Sequence, residues 1–272
     1  MVKKEKLLSL KEIQYEEKEM LKKVVDFFNE QDMTYYLWAG TFLGAVRHKG
    51  FIPWDDDIDL AMTRPEYNKF LAYLKKNNNK ISDNLEVIGL ELGNSDFPIL
   101  KVINKNVKVD EIEQCDEYLW IDIFPLDATP QDNKKFYKRV AFLNKIFILK
   151  RQQRLHQNLM ATSKFKRFIK TIGMGILRLW RYDSYKKFYL KYCTKYNYDD
   201  YEYVHNNVWC SSAAVYNKND LISAEYEFEG LKVNGIKDYD KFLSMGYGKD
   251  YMQLPPVEKR MTHKFRAWKI EK

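Results

Sequence analysis

The chain has 272 residues, with 46 Lys+Arg against 38 Asp+Glu, a net charge of +8 and 45% hydrophobic residues. That balance describes a globular chain long enough to bury one large core or two modest ones, and excludes a disordered or fibrous polymer. Cys115, Cys193 and Cys210 are scattered, with no C-x-x-C pair, so neither a disulfide framework nor a structural zinc site is expected. The basic start, Met1 to Lys6, precedes an apolar stretch of only Leu7-Leu8-Ser9-Leu10. A signal peptide needs roughly 7–15 apolar residues there, and no run approaches the roughly 20 of a membrane span. The expected location is a reducing cytoplasm.

Ser9 to Glu30 predicts a helix, with Leu10, Ile13, Leu21, Val24, Val25 and Phe28 as its apolar stripe and Ser9/Glu12 as a capping box. Tyr35 to Ala39 predicts a short strand ending at Gly40, followed by a helix over Leu43 to Arg47 and a turn at His48-Lys49-Gly50. A second strand is expected over Asp57 to Met62. The next helix begins at Thr63-Arg64-Pro65-Glu66, a second capping box with Pro in the first turn. Leu85 to Leu90, Ile99 to Ile103 and Tyr118 to Phe124 predict further strands, with Pro125 stopping the last.

Residues 131 to about 196 change character, becoming aromatic and helical in period. From Lys134 to Lys191 there are 17 Lys+Arg and one acidic residue, Asp183, which leaves the rest of the chain at −8. Strands are then expected over Val208 to Val215 and Tyr226 to Val233, the latter broken by Glu229-Gly230. A short helix follows over Asp238 to Met245, then a turn-rich tail. These elements describe an α/β core with a basic helical insertion. The domains read as 1–130, a catalytic core; 131–200, the insertion; and 201–272, a return to the core that completes the site.

The densest chemical signal is Trp54-Asp55-Asp56-Asp57-Ile58-Asp59-Leu60. On a strand, Asp55, Asp57 and Asp59 would share one face and Asp56 the other. Carboxylates two residues apart repel unless a cation lies between them. Mg²⁺ or Mn²⁺ suits that, since a hard ion takes oxygen ligands and keeps positions for substrate phosphates. A surface turn or calcium loop is the bland alternative, and it does not account for the flanking Ile58 and Leu60. Asp122, in Leu119-Trp120-Ile121-Asp122-Ile123-Phe124, is a third acid in an apolar frame. Burial of such a group is costly unless it is paired, hydrogen-bonded or on a metal. Gly40-Thr41-Phe42-Leu43-Gly44 offers a strand-to-helix turn whose amides suit phosphate oxygens. Arg47, His48 and Lys49 follow as candidate neutralisers of phosphate charge.

The block from Trp38-Ala39-Gly40-Thr41 through Arg47-His48-Lys49-Gly50 to Trp54-Asp55-Asp56-Asp57-Ile58-Asp59 resembles the signature of the LicD family of phosphocholine transferases, shared with fukutin-related proteins. Trp120 to Asp127 and the tail Tyr247-Gly248-Lys249-Asp250-Tyr251-Met252, Leu254-Pro255-Pro256 and His263 resemble its weaker blocks. The resemblance implies an α+β fold, a nucleotidyltransferase-like mixed β-sheet core flanked by helices. Carried over by position, Gly40-Thr41 is the turn, Asp57 and Asp59 the paired acids and Asp122 the third, all three serving as catalytic and metal-binding residues. Thr41 departs from the usual Ser but keeps the hydroxyl. Asp55 and Asp56 leave the pair assignable only by apolar alternation.

The implied reaction is metal-dependent transfer of phosphocholine from CDP-choline to a sugar hydroxyl of a cell-surface glycan, such as a teichoic-acid precursor, with release of CMP. Asp122 is also a candidate acceptor of the hydroxyl proton. Choline's quaternary ammonium favours aromatic faces, and Trp54, Trp120 and Tyr247 adjoin the motifs, with core packing as the plainer reading of each. Gly40, Thr41, Arg47, His48, Lys49 and His263 complete the expected substrate contacts. The basic segment suits peripheral contact with an anionic membrane, on the inner face of the cell, where lipid-linked acceptors lie. A nucleotidyltransferase acting on RNA or a small molecule is the runner-up. The long Trp54-containing block argues against it, so a nucleic-acid partner is not expected. A non-catalytic scaffold is the third reading, against which the intact acid set speaks.

Overall fold

The structure is a computed structural model that describes residues 4–110, 117–154, 180–208, 214–260 and 265–270. The chain divides into two compact units, Met1–Leu126 with Tyr216–Lys272, and Asp127–Val215. In chain order the regular elements begin with β1 (Lys4–Leu7), α1 (Leu10–Glu30), β2 (Tyr36–Leu37), α2 (Ala39–His48), β3 (Asp59–Thr63) and α3 (Arg64–Lys76). β4 (Leu85–Ile88), β5 (Leu100–Asp110), β6 (Tyr118–Thr129), α4 (Lys134–Arg154), α5 (Tyr182–Cys193) and β7 (Tyr203–His205) come next. β8 (Tyr216–Asn217), β9 (Ser223–Phe228), β10 (Leu231–Ile236), α6 (Tyr239–Tyr247) and β11 (Arg266–Ile270) complete the chain.

The first unit is built on a mixed sheet in the order β1-β11-β5-β6-β3-β2, with β4 also on β5. β3 and β6 run parallel, and the other pairs along this path are antiparallel. Helices flank it, which makes the fold α+β of the nucleotidyltransferase-like kind. α1 buries Met20, Leu21, Val24 and Phe28, and its Phe27 and Phe28 rings pack on Phe70 of α3. At its start, the Ser9 N–H and hydroxyl both donate to Glu12 Oε2 at 2.8 Å, the expected capping contact. α2 and α3 both pack against β3. The β9–β10 hairpin turns through Glu229 and Gly230, both left-handed at φ 51° and 78°, as a two-residue hairpin loop requires.

Several boundaries differ from expectation for identifiable reasons. α2 begins at Ala39, so Gly40-Thr41 lies inside its first turn and not in a preceding loop. β3 begins at Asp59, which leaves Asp55 to Ile58 in a loop. β6 runs through Pro125. Asp122 turns its N–H toward Ile58, so Pro125, three residues on, faces the opposite edge. There the β5 ladder has already ended at Ile123, and no donor is required. The Thr63 capping box does not form; Glu66 instead accepts from the N–H of Thr34 at 3.0 Å. β1, β11 and the extension of β5 beyond Ile103 were not expected from the sequence. They are short or polar segments that pair with one another at the sheet edge.

In the second unit, α4 and α5 pack through tyrosines. Phe147 stacks on Tyr189 at 4.7 Å, and the Tyr185 hydroxyl donates to the Leu143 carbonyl at 2.7 Å. Asn207 Nδ2 donates to the Cys193 carbonyl at 2.9 Å, tying α5 to the segment after β7. The middle of the basic segment, 155–179, lies outside the described residues, as do Cys115 and Cys210. The strand expected over Val208 to Val215 falls largely outside them too, and Val208 itself sits in a turn. No helix among the described residues is long and apolar enough to cross a membrane.

Candidate active site

The parallel register of β3 and β6 sets Asp59 directly opposite Asp122. On the other edge of β6, antiparallel pairing sets Lys101 of β5 opposite Asp122. Directly paired residues project to one face of a sheet, so Lys101, Asp122 and Asp59 form a row across three adjacent strands. Burial, then the charges of Asp57 and Asp122, push the Asp59 carboxyl well above its ordinary range. Burial raises Asp122 as well, against the opposing pull of Lys101. The Lys101 Nζ lies 3.3 Å from Asp122 Oδ1.

Asp59 is also fixed from α2. Its N–H donates to Thr41 Oγ1 at 2.8 Å, and its carbonyl accepts from the Trp38 N–H at 2.9 Å. Thr41 therefore meets the acid strand through its hydroxyl, while Gly40 makes room for a carboxylate. A Cβ on Gly40 would come within 2.8 Å of Asp55 Oδ2. Although Asp55 to Ile58 is loop, burial still alternates along it: Asp56 is 4% exposed, whereas Asp55, Asp57 and Asp59 are half-buried.

The other expected contacts separate. Tyr247, the last residue of α6, is 47% exposed. Its hydroxyl is pushed up by burial and then by the charges of Asp59, Asp55 and Asp57. Arg47 is engaged by the tail, donating to the carbonyls of Tyr251 at 2.8 Å and Gln253 at 3.3 Å. It also contacts His48 Nδ1 at 3.4 Å, and burial followed by the Arg47 charge lowers the His48 pKa. Lys49 is exposed and points to Glu227 of the hairpin, at 3.9 Å. Trp54 already carries a cation, with the Arg260 guanidinium 4.4 Å from its ring centroid. Trp120 is buried, with Lys101 Nζ 4.3 Å from its ring. His263 lies outside the described residues.

Two residues escaped the sequence reading. Lys101 is fully buried, held between the rings of Phe97 and Trp120 at 4.4 and 4.3 Å. A lone Lys inside Ile99-Leu100-Lys101-Val102-Ile103 is the same signal that singled out Asp122. Glu17 is 1% exposed, with Oε2 buried and without a hydrogen bond. It occupies the apolar stripe of α1, four residues after Ile13 and four before Leu21, and its carboxyl is raised by burial and by Asp57, Asp56, Asp55 and Asp59. The neighbouring Gln14 donates to the Asp55 carbonyl at 2.8 Å.

The donors are hard carboxylate oxygens, and Asp59 is raised by burial and then by its acidic neighbours, which fits a divalent cation such as Mg²⁺. Among the described residues no group of three or more His, Cys, Asp or Glu side chains is arranged to hold a metal ion.

The mixed sheet carries an acid on each of two adjacent parallel strands, with the N-terminal turn of α2 beside them, the arrangement expected of a nucleotidyltransferase-like fold. Residues 32–159 match the family model described as LicD/FKTN/FKRP, nucleotidyltransferase domain. The chain is also similar to the lipopolysaccharide cholinephosphotransferase LicD of Haemophilus influenzae, 27% identical over 258 residues, covering 88% of this chain and 91% of that protein. Shorter matches are to uncharacterized proteins of Rickettsia typhi, 34% identical over 56 residues (21% of this chain and 18% of that protein), and Rickettsia prowazekii, 39% over 44 residues (16% of each). Residues 32–159 thus match a LicD-type nucleotidyltransferase domain, and most of the chain is similar to a transferase of the LicD type.

Proposed function

We propose that this chain transfers phosphocholine from CDP-choline to a sugar hydroxyl of a cell-surface glycan and releases CMP. The observation that carries the reading is the pairing of Asp59 with Asp122 in one register, in a chain that matches a named cholinephosphotransferase over most of its length. A glycan of lipopolysaccharide type is supported by that relative's name, and a teichoic-acid-type precursor is the alternative acceptor.

Asp57 and Asp59, with Asp122 beside them, are the residues that would hold Mg²⁺ or Mn²⁺, which when bound would neutralise phosphate charge and stabilise the leaving CMP. The acceptor oxygen forms a bond to the phosphorus bearing choline as the bond from that phosphorus to the CMP oxygen breaks. Asp122, held by Lys101 and raised by burial, takes the proton from the acceptor hydroxyl. Thr41 fixes the backbone of Asp59, and Arg47 pins the tail segment that follows Tyr247.

Of the three aromatic candidates for the quaternary ammonium, Tyr247 presents an exposed ring beside the acids. Trp54 and Trp120 are already stacked with Arg260 and Lys101. The basic faces of α4 and α5, with exposed Phe142, Ile148, Trp180 and Phe188, suit peripheral contact with an anionic membrane carrying a lipid-linked acceptor.

Purified protein given CDP-choline, Mg²⁺ and a glycan acceptor is expected to release CMP in step with phosphocholine ester formation. Pyrophosphate release from CTP or ATP, with CDP-choline untouched, would overturn this donor and favour the nucleotidyltransferase alternative.

A further inference from the structure

We propose that Lys101 is a positioning residue, a fixed internal cation that takes the place of a second divalent ion at Asp122 and confines the site to one ion. The inference rests on the transferase reading of the acid row and adds to it a residue and an ion count.

A fully buried ammonium is costly unless its charge is compensated. Here the compensation is built from three directions. Asp122 Oδ1 stands 3.3 Å from Nζ, the Phe97 ring lies at 4.4 Å and the Trp120 ring at 4.3 Å. Aromatic faces attract a cation most strongly once it is desolvated. Strand pairing fixes the arrangement, because Lys101 and Asp122 occupy directly opposed positions on β5 and β6 and so project together. Full burial between the two rings holds the ammonium in the row.

The consequence concerns charge. Asp55, Asp57 and Asp122 all act on Asp59 as negative neighbours, and the Lys101 ammonium is a positive charge placed at Asp122. A second ion at Asp122 would have to share it with an ammonium 3.3 Å away, and the repulsion excludes it. Asp122 is thereby kept as an oriented acceptor beside the ion held at Asp57 and Asp59.

The test is a Mn²⁺ titration of the full chain, followed by electron paramagnetic resonance without substrate, on wild type, Lys101→Met and the double variant Lys101→Met/Asp122→Asn. Met follows the Lys stem between the two rings, so the single variant is expected to fold. Wild type is expected to bind one ion per chain. Lys101→Met, with Asp122 released, is expected to bind two. The double variant, which has neither charge, is expected to bind one and to melt no lower than wild type, since a neutral pair of similar volume replaces a buried ion pair. With CDP-choline as donor, the kcat of Lys101→Met is expected to fall about 10- to 100-fold, the usual loss for a group that orients a ligand, with the donor KM little changed. Wild type binding no ion or two, Lys101→Met keeping one ion, or the double variant taking two would each overturn the proposal. If CDP-choline is not turned over, the ion counts still decide the role of Lys101, so failure of the donor reading is distinguishable from failure of this one.

Discussion

The hydroxyl of Thr41 accepts the backbone N–H of Asp59 at 2.8 Å, so a helix side chain extends the hydrogen bonding of the acid strand at its first residue. The contact joins two motif residues through the main chain of one of them. Thr41 thus sets where Asp59 begins the row opposite Asp122.

Thr41→Val keeps the shape and removes the acceptor, leaving the Asp59 N–H without its partner. The expected cost is about 1–3 kcal/mol of stability, the penalty for a buried donor left unsatisfied, together with a loss of activity. Thr41→Ser retains the acceptor and is expected to stay close to wild type in both. Thermal melts and turnover of the three proteins check this. A Val variant indistinguishable from wild type would show the bond to be incidental.

Gly44 is required for a close approach, not for an unusual dihedral. A Cβ there would come within 2.4 Å of the Gly50 carbonyl oxygen. Gly44→Ala would otherwise gain about 1 kcal/mol of helix propensity, and is expected instead to lower the melting temperature. An unchanged or raised melting temperature would contradict the packing of α2 against residues 50–52.

Glu17 supplies a pH dependence in the metal-free protein. Its folded carboxyl is raised well above the ordinary value of 4.5 by burial and by the four aspartates. The unfolded state therefore loses its proton first as pH rises, and stability falls from about pH 4.5 upward toward the raised value. Glu17→Gln removes this dependence. In chelator, the variant is expected to melt higher than wild type near pH 8 and to lose that advantage as pH falls to about 4.5. Melting curves across that window check the sign, and an advantage that grew toward acid would contradict it.

Much of this arrangement is legible in the sequence because alternation and apolar flanks report burial directly. Asp59, between Ile58 and Leu60, and Asp122, between Ile121 and Ile123, read as acids at the lip of a buried sheet, and β3 and β6 bring them together. The Ser9/Glu12 cap and the Glu229-Gly230 turn are local events, settled within three residues and two. What was not legible depends on partners distant in the chain. The Lys101–Asp122 pair needs the β5–β6 register, and β1 and β11 are stable as strands only through each other and β5. Pro125 reads as a stop unless it is known which edge of β6 has lost its neighbour. The stacking of Arg260 on Trp54 joins residues more than two hundred positions apart.

Tyr247 is the aromatic whose loss should be felt by the donor. Tyr247→Ala is expected to raise the CDP-choline KM about tenfold with a smaller change in kcat, in line with a cation–π contact of about 0.5–2 kcal/mol. Trp54→Ala, whose ring already serves Arg260, is expected to affect the donor KM less. Steady-state kinetics with CDP-choline separate the two, and the reverse ranking would place the choline on Trp54.

The central claim is that the Asp59–Asp122 row performs chemistry and is not a structural network. Turnover and metal-free melting temperature, measured together for Asp59→Asn and Asp122→Asn, test it most directly. Asp59→Asn removes a carboxylate crowded by Asp57 and Asp122, so its chelated form is expected to melt at or above the wild-type temperature. Asp122→Asn gives up the Lys101 pair and is expected to melt somewhat lower while remaining folded. Both are expected to lose about 10³-fold or more in kcat, the scale of removing a group that stabilises transition-state charge. Added Mg²⁺ is expected to raise the melting temperature of wild type by mass action, and that of Asp59→Asn much less. An Asp59→Asn protein that unfolds without metal while its folded fraction keeps full activity would contradict the account.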